Sequence, residues 1–197
     1  MTRPRDVIDA CVLSHACLLD DVAAMSEDDL GGATLLPGWT RGHLLTHLAR
    51  NADSHAWLFE GARIREFRQQ YPEAGMRERD IEAGSSRRKH EIFEDLTRAT
   101  RALEAAWALL EDDQWATQQS TGRANLDMAE IVFRRLREVE IHHVDLDVGY
   151  LASNWPELYV EGELHRQLAI LPERADHATM VAWLVGRRPS IELEAWW

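Results

Sequence analysis

Arg137-Glu138-Val139-Glu140-Ile141-His142-His143-Val144-Asp145-Leu146 is the stretch on which the reading of this chain turns. It lies in a longer pattern, from about Leu126 to Val148, with helical periodicity and no period-two alternation. On a helix, residues four apart stand one above the other on a single face. Glu138 and His142 have that spacing, and a carboxylate and an imidazole so placed can grip a metal ion from one side. Spacing leaves other readings open. Glu140 and His143 make a second acid–histidine pair, and a Glu-x-x-x-His pair is also common as a plain surface ion pair. Asp145 reads equally as a group that orients a ligand or as an ordinary exposed acid.

A third ligand must come from another helix. Pro37-Gly38 marks a turn, and Thr40 is a natural N-cap for a helix from about Arg41 to Arg63. Leu44, Leu48, Ala52 and Leu58 lie on or near its inner face, and it offers His43, His47 and His55. His47 is central and shares the stripe of Leu44 and Leu48, which implies burial.

The rest of the chain reads as more helix. A first helix runs from about Asp6 to Met25, with an inner stripe that includes Cys11, His15, Leu18 and Val22. A third helical region spans roughly Arg77 to Leu110, breakable at Gly84-Ser85-Ser86. The polar stretch 112–125 reads as a loop. From Trp155 onward the pattern changes: Pro156 opens a short helix to Ile170, Leu171-Pro172 breaks it, Arg174 to Gly186 can form another, and Trp196-Trp197 close the chain. The expected fold is all-α: a four-helix bundle over residues 1–152, with a short helical C-terminal extension over 153–197 packing on it.

Composition agrees. The 197 residues, 45% hydrophobic and 28% charged, suit one globular domain with a short appendix. A net charge of -12 disfavours nucleic acid and anionic membranes as partners. Cys11 and Cys17 are six apart, which fits neither a redox CxxC pair nor a zinc knuckle, and they read as free thiols. The N-terminal stretch lacks a signal-peptide core and no run is apolar enough to span a membrane, so a cytoplasmic location is expected. Lys89 is the only lysine among many arginines, which points to GC-rich coding.

Two motifs carry a resemblance. Leu36-Pro37-Gly38-Trp39-Thr40-Arg41-Gly42-His43-Leu44-Leu45-Thr46-His47-Leu48-Ala49-Arg50-Asn51-Ala52 resembles the helix-two signature of the mycothiol-dependent maleylpyruvate isomerase family. Arg137 to Leu146 resembles that family's second signature, and the likeness covers about residues 5 to 150. The family is related to the wider DinB-like metal-binding four-helix bundles, which often use three histidines where this branch has a glutamate between two. The resemblance implies that His47, Glu138 and His142 bind a divalent metal, zinc or alternatively nickel, and that His143 does not. It further implies mycothiol, a low-molecular-weight thiol of actinobacteria, as cosubstrate. Three protein ligands leave an open position where a thiol would bind and lose its proton, ready to add to a small electrophile. In the isomerase reaction the thiolate adds to the cis double bond of maleylpyruvate, the bond rotates, and the thiolate leaves. Ala182-Trp183-Leu184-Val185-Gly186-Arg187 resembles a family motif whose arginine assists catalysis, which makes Arg187 the candidate clamp for a carboxylate or enolate and Arg188 its nearest rival. The best-known members carry a larger α/β C-terminal part, whereas this tail is only about forty residues.

The remaining histidines have plainer readings. His43 reads as a helix-surface residue or a neighbour of the ligands, His55 as a residue at the bundle end, and His15, His90, His165 and His177 as isolated. Three functions fit the whole: a maleylpyruvate-type isomerase, a mycothiol S-transferase acting on another electrophile, or a non-catalytic metal-binding bundle. The protein would act as a monomer or homodimer.

Overall fold

Thr40 sets the start of the helix on which the bundle is built. Its backbone is extended, its hydroxyl accepts the N–H of His43, and its own N–H donates to His43 Nδ1. This reciprocal cap satisfies two of the donors that a helix start leaves open. The helix it opens, α2, spans Arg41–Arg63. In the computed structural model, which describes residues 2–193, it is preceded by α1 (Arg5–Ala24) and followed by α3 (Met76–Gly84), α4 (Lys89–Leu109) and α5 (Met128–Asp145). Trp196 and Trp197 lie outside the described residues. Packing of α2 on α4 and α5, and of α1 on α5 and α4, makes the expected four-helix bundle. The apolar stripes meet inside it: Leu18 and Val22 from α1, Leu44, Leu48 and Leu58 from α2, Leu96 and Leu103 from α4, and Ile131 and Leu136 from α5 are all buried.

The break expected near Gly84 is real, and two glycines require it. A Cβ on Gly84 would lie 2.6 Å from Thr46 Cγ2, and one on Gly42 would lie 2.1 Å from the Ser85 carbonyl oxygen. The α3–α4 junction therefore rests directly on the first turns of α2. The stretch read as a loop holds a short antiparallel hairpin, β1 (Gln118–Ser120) with β2 (Asn125–Asp127), turned at Gly122 with φ +82°. Three-residue polar strands show no alternation, so periodicity does not detect them. Asp127 then caps α5 by accepting the N–H of Glu130.

A buried polar chain joins all four bundle helices. Arg135 on α5 is fully buried. Its Nη1 donates to the Leu48 carbonyl and to Asn51 Oδ1 on α2, and its Nε donates to His15 Nε2 on α1 at 3.0 Å. His15 Nδ1 then donates to Glu104 on α4 at 2.8 Å, and its ring stacks on Trp107. Thus His15, which looked isolated along the chain, is the middle of a cross-bundle relay.

Burial outweighs the Glu104 bond and takes His15 from its ordinary range down to about 4. The unfolded chain protonates this ring near 6.5. Stability from keeping it neutral is therefore complete above that pH and is lost as pH falls from about 6.5 towards 4. At 1.36 kcal/mol per pKa unit this amounts to about 3 kcal/mol at most. His15→Gln keeps an acceptor for Arg135 but cannot titrate. Urea unfolding across this window should show a shallower loss of stability on acidification in the variant, by up to about one proton. His55, driven down to about 3 by burial, titrates in the same direction and keeps some slope in both proteins. Equal slopes would remove His15 from the account.

The chain divides into two compact units, Met1–Trp155 and Pro156–Trp197. The second holds α6 (Glu157–Ile170) and α7 (His177–Leu184), the latter capped by Asp176, which accepts the N–H of Thr179. Among the described residues, no helix is long and apolar enough to cross a membrane.

Candidate metal centre

Arg41 fixes the register between the two helices that make the site. From the first turn of α2 its Nε donates to the Leu146 carbonyl at 2.7 Å and its Nη2 to the Asp147 carbonyl at 3.0 Å, closing the C-terminal end of α5. One and a half turns into α2 stands His47, only 3% exposed. Glu138 and His142 face it from α5. His47 Nε2 lies 3.0 Å from Glu138 Oε2, and His142 Nε2 lies 3.5 Å from the same oxygen. The two imidazole rings stand at 87° with centroids 4.9 Å apart. One donor atom from each residue thus converges, all within 4.8 Å of one another. The three residues expected to act together are brought together.

Neighbouring groups fit the ligand role. Asp145 Oδ2 lies 2.8 Å from His142 Nδ1 and accepts its proton, which leaves Nε2 turned inward. The acid three residues after His142 is thus an orienting partner and not a free surface charge. Trp39 packs edge-on against His47 at 5.6 Å. Arg77 at the start of α3 places Nη2 3.4 Å from His47 Nδ1 and its guanidinium 5.7 Å from the Trp39 ring. Nothing local along the chain ties Arg77 to this site, since it arrives on a separate helix. A cation on His47 Nε2 would put the ring proton on Nδ1, which then no longer accepts from Arg77.

The electrostatics divide the two histidines. Burial pushes His47 down to about 4, more than its bond to Glu138 restores. Burial also acts downward on His142, but bonds to Asp145 and Glu138 outweigh it and lift the ring to about 9. Burial would raise Glu138, yet the two histidines hold it well below the usual carboxylate range. The cluster therefore keeps an anionic carboxylate between a neutral His47 and a protonated His142; a divalent transition metal taking this donor set of two nitrogens and one oxygen would expel the His142 proton.

The other histidines are turned elsewhere. His143 points to α1, where its Nε2 meets Asp21 at 2.8 Å. His43 is consumed by the Thr40 cap. His55 is fully buried rather than at a bundle end, because α2 runs two further turns past it; neither ring nitrogen has a hydrogen-bond partner among the described residues. In the second unit, Arg187 is exposed just past α7, and its N–H donates to the Ala182 carbonyl. The Arg188 guanidinium donates to Thr179 Oγ1 at 3.2 Å.

Residues 12–147 match the family described as the mycothiol maleylpyruvate isomerase N-terminal domain. Among solved structures, the crystal structure of the mycothiol-dependent maleylpyruvate isomerase is similar, with a TM-score of 0.77 and 25% identity over 80% of this chain. A histidine-to-alanine mutant of that enzyme matches with a TM-score of 0.74, also at 25% identity. In both cases this chain spans 66% of the other's length, just under two thirds. No curated protein matches the chain.

Proposed function

The chain belongs to the mycothiol maleylpyruvate isomerase N-terminal domain family, and from that premise we propose that it is a metal-dependent enzyme that activates mycothiol for addition to a small electrophile, with cis–trans isomerisation of maleylpyruvate as its reaction. The observation that carries the proposal is the convergence of His47 Nε2, Glu138 Oε2 and His142 Nε2 from two facing helices. A divalent cation held there, zinc or alternatively nickel, would supply an open coordination position and the positive field that deprotonates a thiol.

The chain's own groups do the rest. Two neutral imidazoles and one carboxylate cancel only one of the cation's charges, so the site stays electrophilic. Asp145 holds His142 in the tautomer that presents Nε2. Arg77, released from His47 Nδ1 by the tautomer change, is a cation at hand for an anionic substrate. By the motif resemblance at Ala182 to Arg187, Arg187 is the candidate group for the substrate carboxylate or the developing enolate. The lysine-poor composition and the use of mycothiol support reading the chain as a cytoplasmic enzyme of an actinobacterium.

The test is turnover of maleylpyruvate with mycothiol, following both product and free thiol. An isomerase forms the trans isomer at constant thiol. Consumption of one thiol per electrophile marks an S-transferase, and no turnover of any electrophile by the metal-loaded protein overturns the enzymatic reading. Arg187→Ala should keep metal and thiol binding and lose turnover on the order of 100-fold, the usual cost of one donor to a developing oxyanion. The loss falls on kcat if Arg187 acts on the enolate and on KM if it only holds a carboxylate. Arg187→Lys should rescue poorly, because an ammonium lacks the bidentate fork. Unchanged kinetics in both variants would strip the motif of mechanistic meaning.

A further inference from the structure

α5 carries two adjacent histidines that look in different directions. His142 is turned to His47 on α2, and His143 is turned to Asp21 on α1. On α1, Cys17 and Asp21 are four residues apart and share a face. Cys17 Sγ, an Asp21 carboxylate oxygen and a His143 ring nitrogen all lie within 4.8 Å of one another. We propose that Cys17, Asp21 and His143 form a second divalent-metal site, selective for zinc-like cations and independent of the His47–Glu138–His142 centre.

The cluster repeats the plan of the first centre. There, an i,i+4 pair on α5 meets one histidine from α2; here, an i,i+4 pair on α1 meets one histidine from α5. In both, the carboxylate rests directly against an imidazole Nε2, at 3.0 Å in the first and 2.8 Å in the second. Among the described residues these are the two groups of histidine, cysteine and acidic side chains so assembled.

The site is built rather than accidental. His143 is 1% exposed, and its ring lies parallel to Tyr150, 3° apart with centroids at 3.8 Å. Tyr150 is in turn held by its hydroxyl, which donates to Glu140 at 2.6 Å, and Ser14 on α1 donates to the same carboxylate. The ring plane of His143 is therefore fixed with Nε2 aimed at Asp21. On the other side, Cys17 is exposed and Asp21 is 44% exposed, so an ion can enter and keep water on its open position. Tetrahedral bonds of about 2.0–2.1 Å to nitrogen and oxygen set those two atoms about 3.3 Å apart. An opening of about half an ångström from the direct His143–Asp21 contact accommodates the ion.

The donor chemistry selects the cation. Thiolate, carboxylate and neutral imidazole cancel a double positive charge. Sulfur and nitrogen favour zinc or cobalt over magnesium and calcium, which prefer all-oxygen sites. Burial, Asp21, Glu140 and Asp20 together keep the proton on Cys17 in the metal-free protein. The same negative surroundings attract a dication, whose binding expels that proton to solvent with no redox step. Because the ligands come from α1 and α5, the bound ion ties these helices together and stabilises only the folded chain.

Sulfur makes the two sites separable, since the first centre contains none. The chelator-treated, phosphine-reduced protein is titrated with Co²⁺ while the near-ultraviolet thiolate-to-cobalt charge-transfer band is followed. The band should appear in the wild type and persist in Glu138→Gln, which lacks the first centre. Cys17→Ala should abolish it and should also reduce the rise in melting temperature that Zn²⁺ gives. Cys11→Ala should leave it intact. Cys17 is exposed, so its replacement does not threaten the fold. Absence of the band at Co²⁺ concentrations that fill the first centre would overturn the proposal and leave that centre untouched. A band that survives Cys17→Ala would overturn it as well.

Discussion

Glu138→Gln should empty the metal centre and abolish turnover while leaving the bundle folded. The amide keeps the size of the side chain and one carbonyl oxygen but removes the anion to which both imidazoles are turned, at 3.0 and 3.5 Å. Without that charge a dication meets two neutral nitrogens in a buried setting, where its desolvation is poorly offset. Metal content after dialysis should fall from about one per chain at this centre to a small residue, as it should for His47→Ala and His142→Ala. Catalysis should fall on the order of 10³-fold or more, since a Lewis acid contributes several kcal/mol to such reactions. His143→Ala should keep this metal, because its ring faces α1. Asp145→Asn should bind more weakly, about 10- to 100-fold, because it alters the partner of His142 and not a ligand. Full metal retention by Glu138→Gln would overturn the ligand assignment. Chelation should leave the far-ultraviolet dichroism of the wild type intact, because the apolar stripes hold the bundle without the ion; collapse of the helical signal would make the metal structural instead.

The parts of this protein readable along the chain are those governed by local periodicity. The bounds of α2 follow from Thr40 and from apolar residues every three or four positions, and helical spacing marks Glu138–His142 as one candidate pair beside Glu140 and His143. Choosing His47 over His43 and His55 needed more. His43 is spent on the helix cap, and His55 is buried with no hydrogen-bond partner among the described residues, but neither fate is written in the spacing. The motif resemblance pointed to His47. Arg77, which reaches His47 from α3 across thirty positions, and Arg41, which pins the end of α5, belong to pairings set by tertiary packing. The hairpin at Gln118–Asp127 escaped because its strands are short and polar and take their order from neighbours. His15 escaped for the opposite reason. It sits on a well-formed apolar stripe, where an imidazole passes for one more inward residue, and its partners Glu104 and Arg135 lie 89 and 120 positions away.

That relay carries the largest stability effect expected away from the metal. Arg135 is a fully buried guanidinium, and burial lowers its pKa from the usual arginine range. Its bonds run to Leu48, Asn51 and His15, so one side chain supplies donors to α2 and α1 from α5. Arg135→Ala removes the donors and keeps the acceptors buried. Asn51 Oδ1 and His15 Nε2 lose the bonds Arg135 made to them, the Glu104–His15 bond loses its anchor, and a cavity the size of an arginine opens in the core. Breaking a buried charged network from one side costs about 3–5 kcal/mol. For a chain of this length that lowers the melting temperature by about 6–20 °C, at about 2–4 °C per kcal/mol. Arg135→Met fills much of the volume and removes the buried charge, so it should recover part of the loss despite leaving the same acceptors open. If the methionine variant were as unstable as the alanine variant, lost hydrogen bonds would outweigh volume. If both matched the wild type in thermal and urea unfolding, the relay would contribute nothing, and the four helices would be held by their apolar stripes alone.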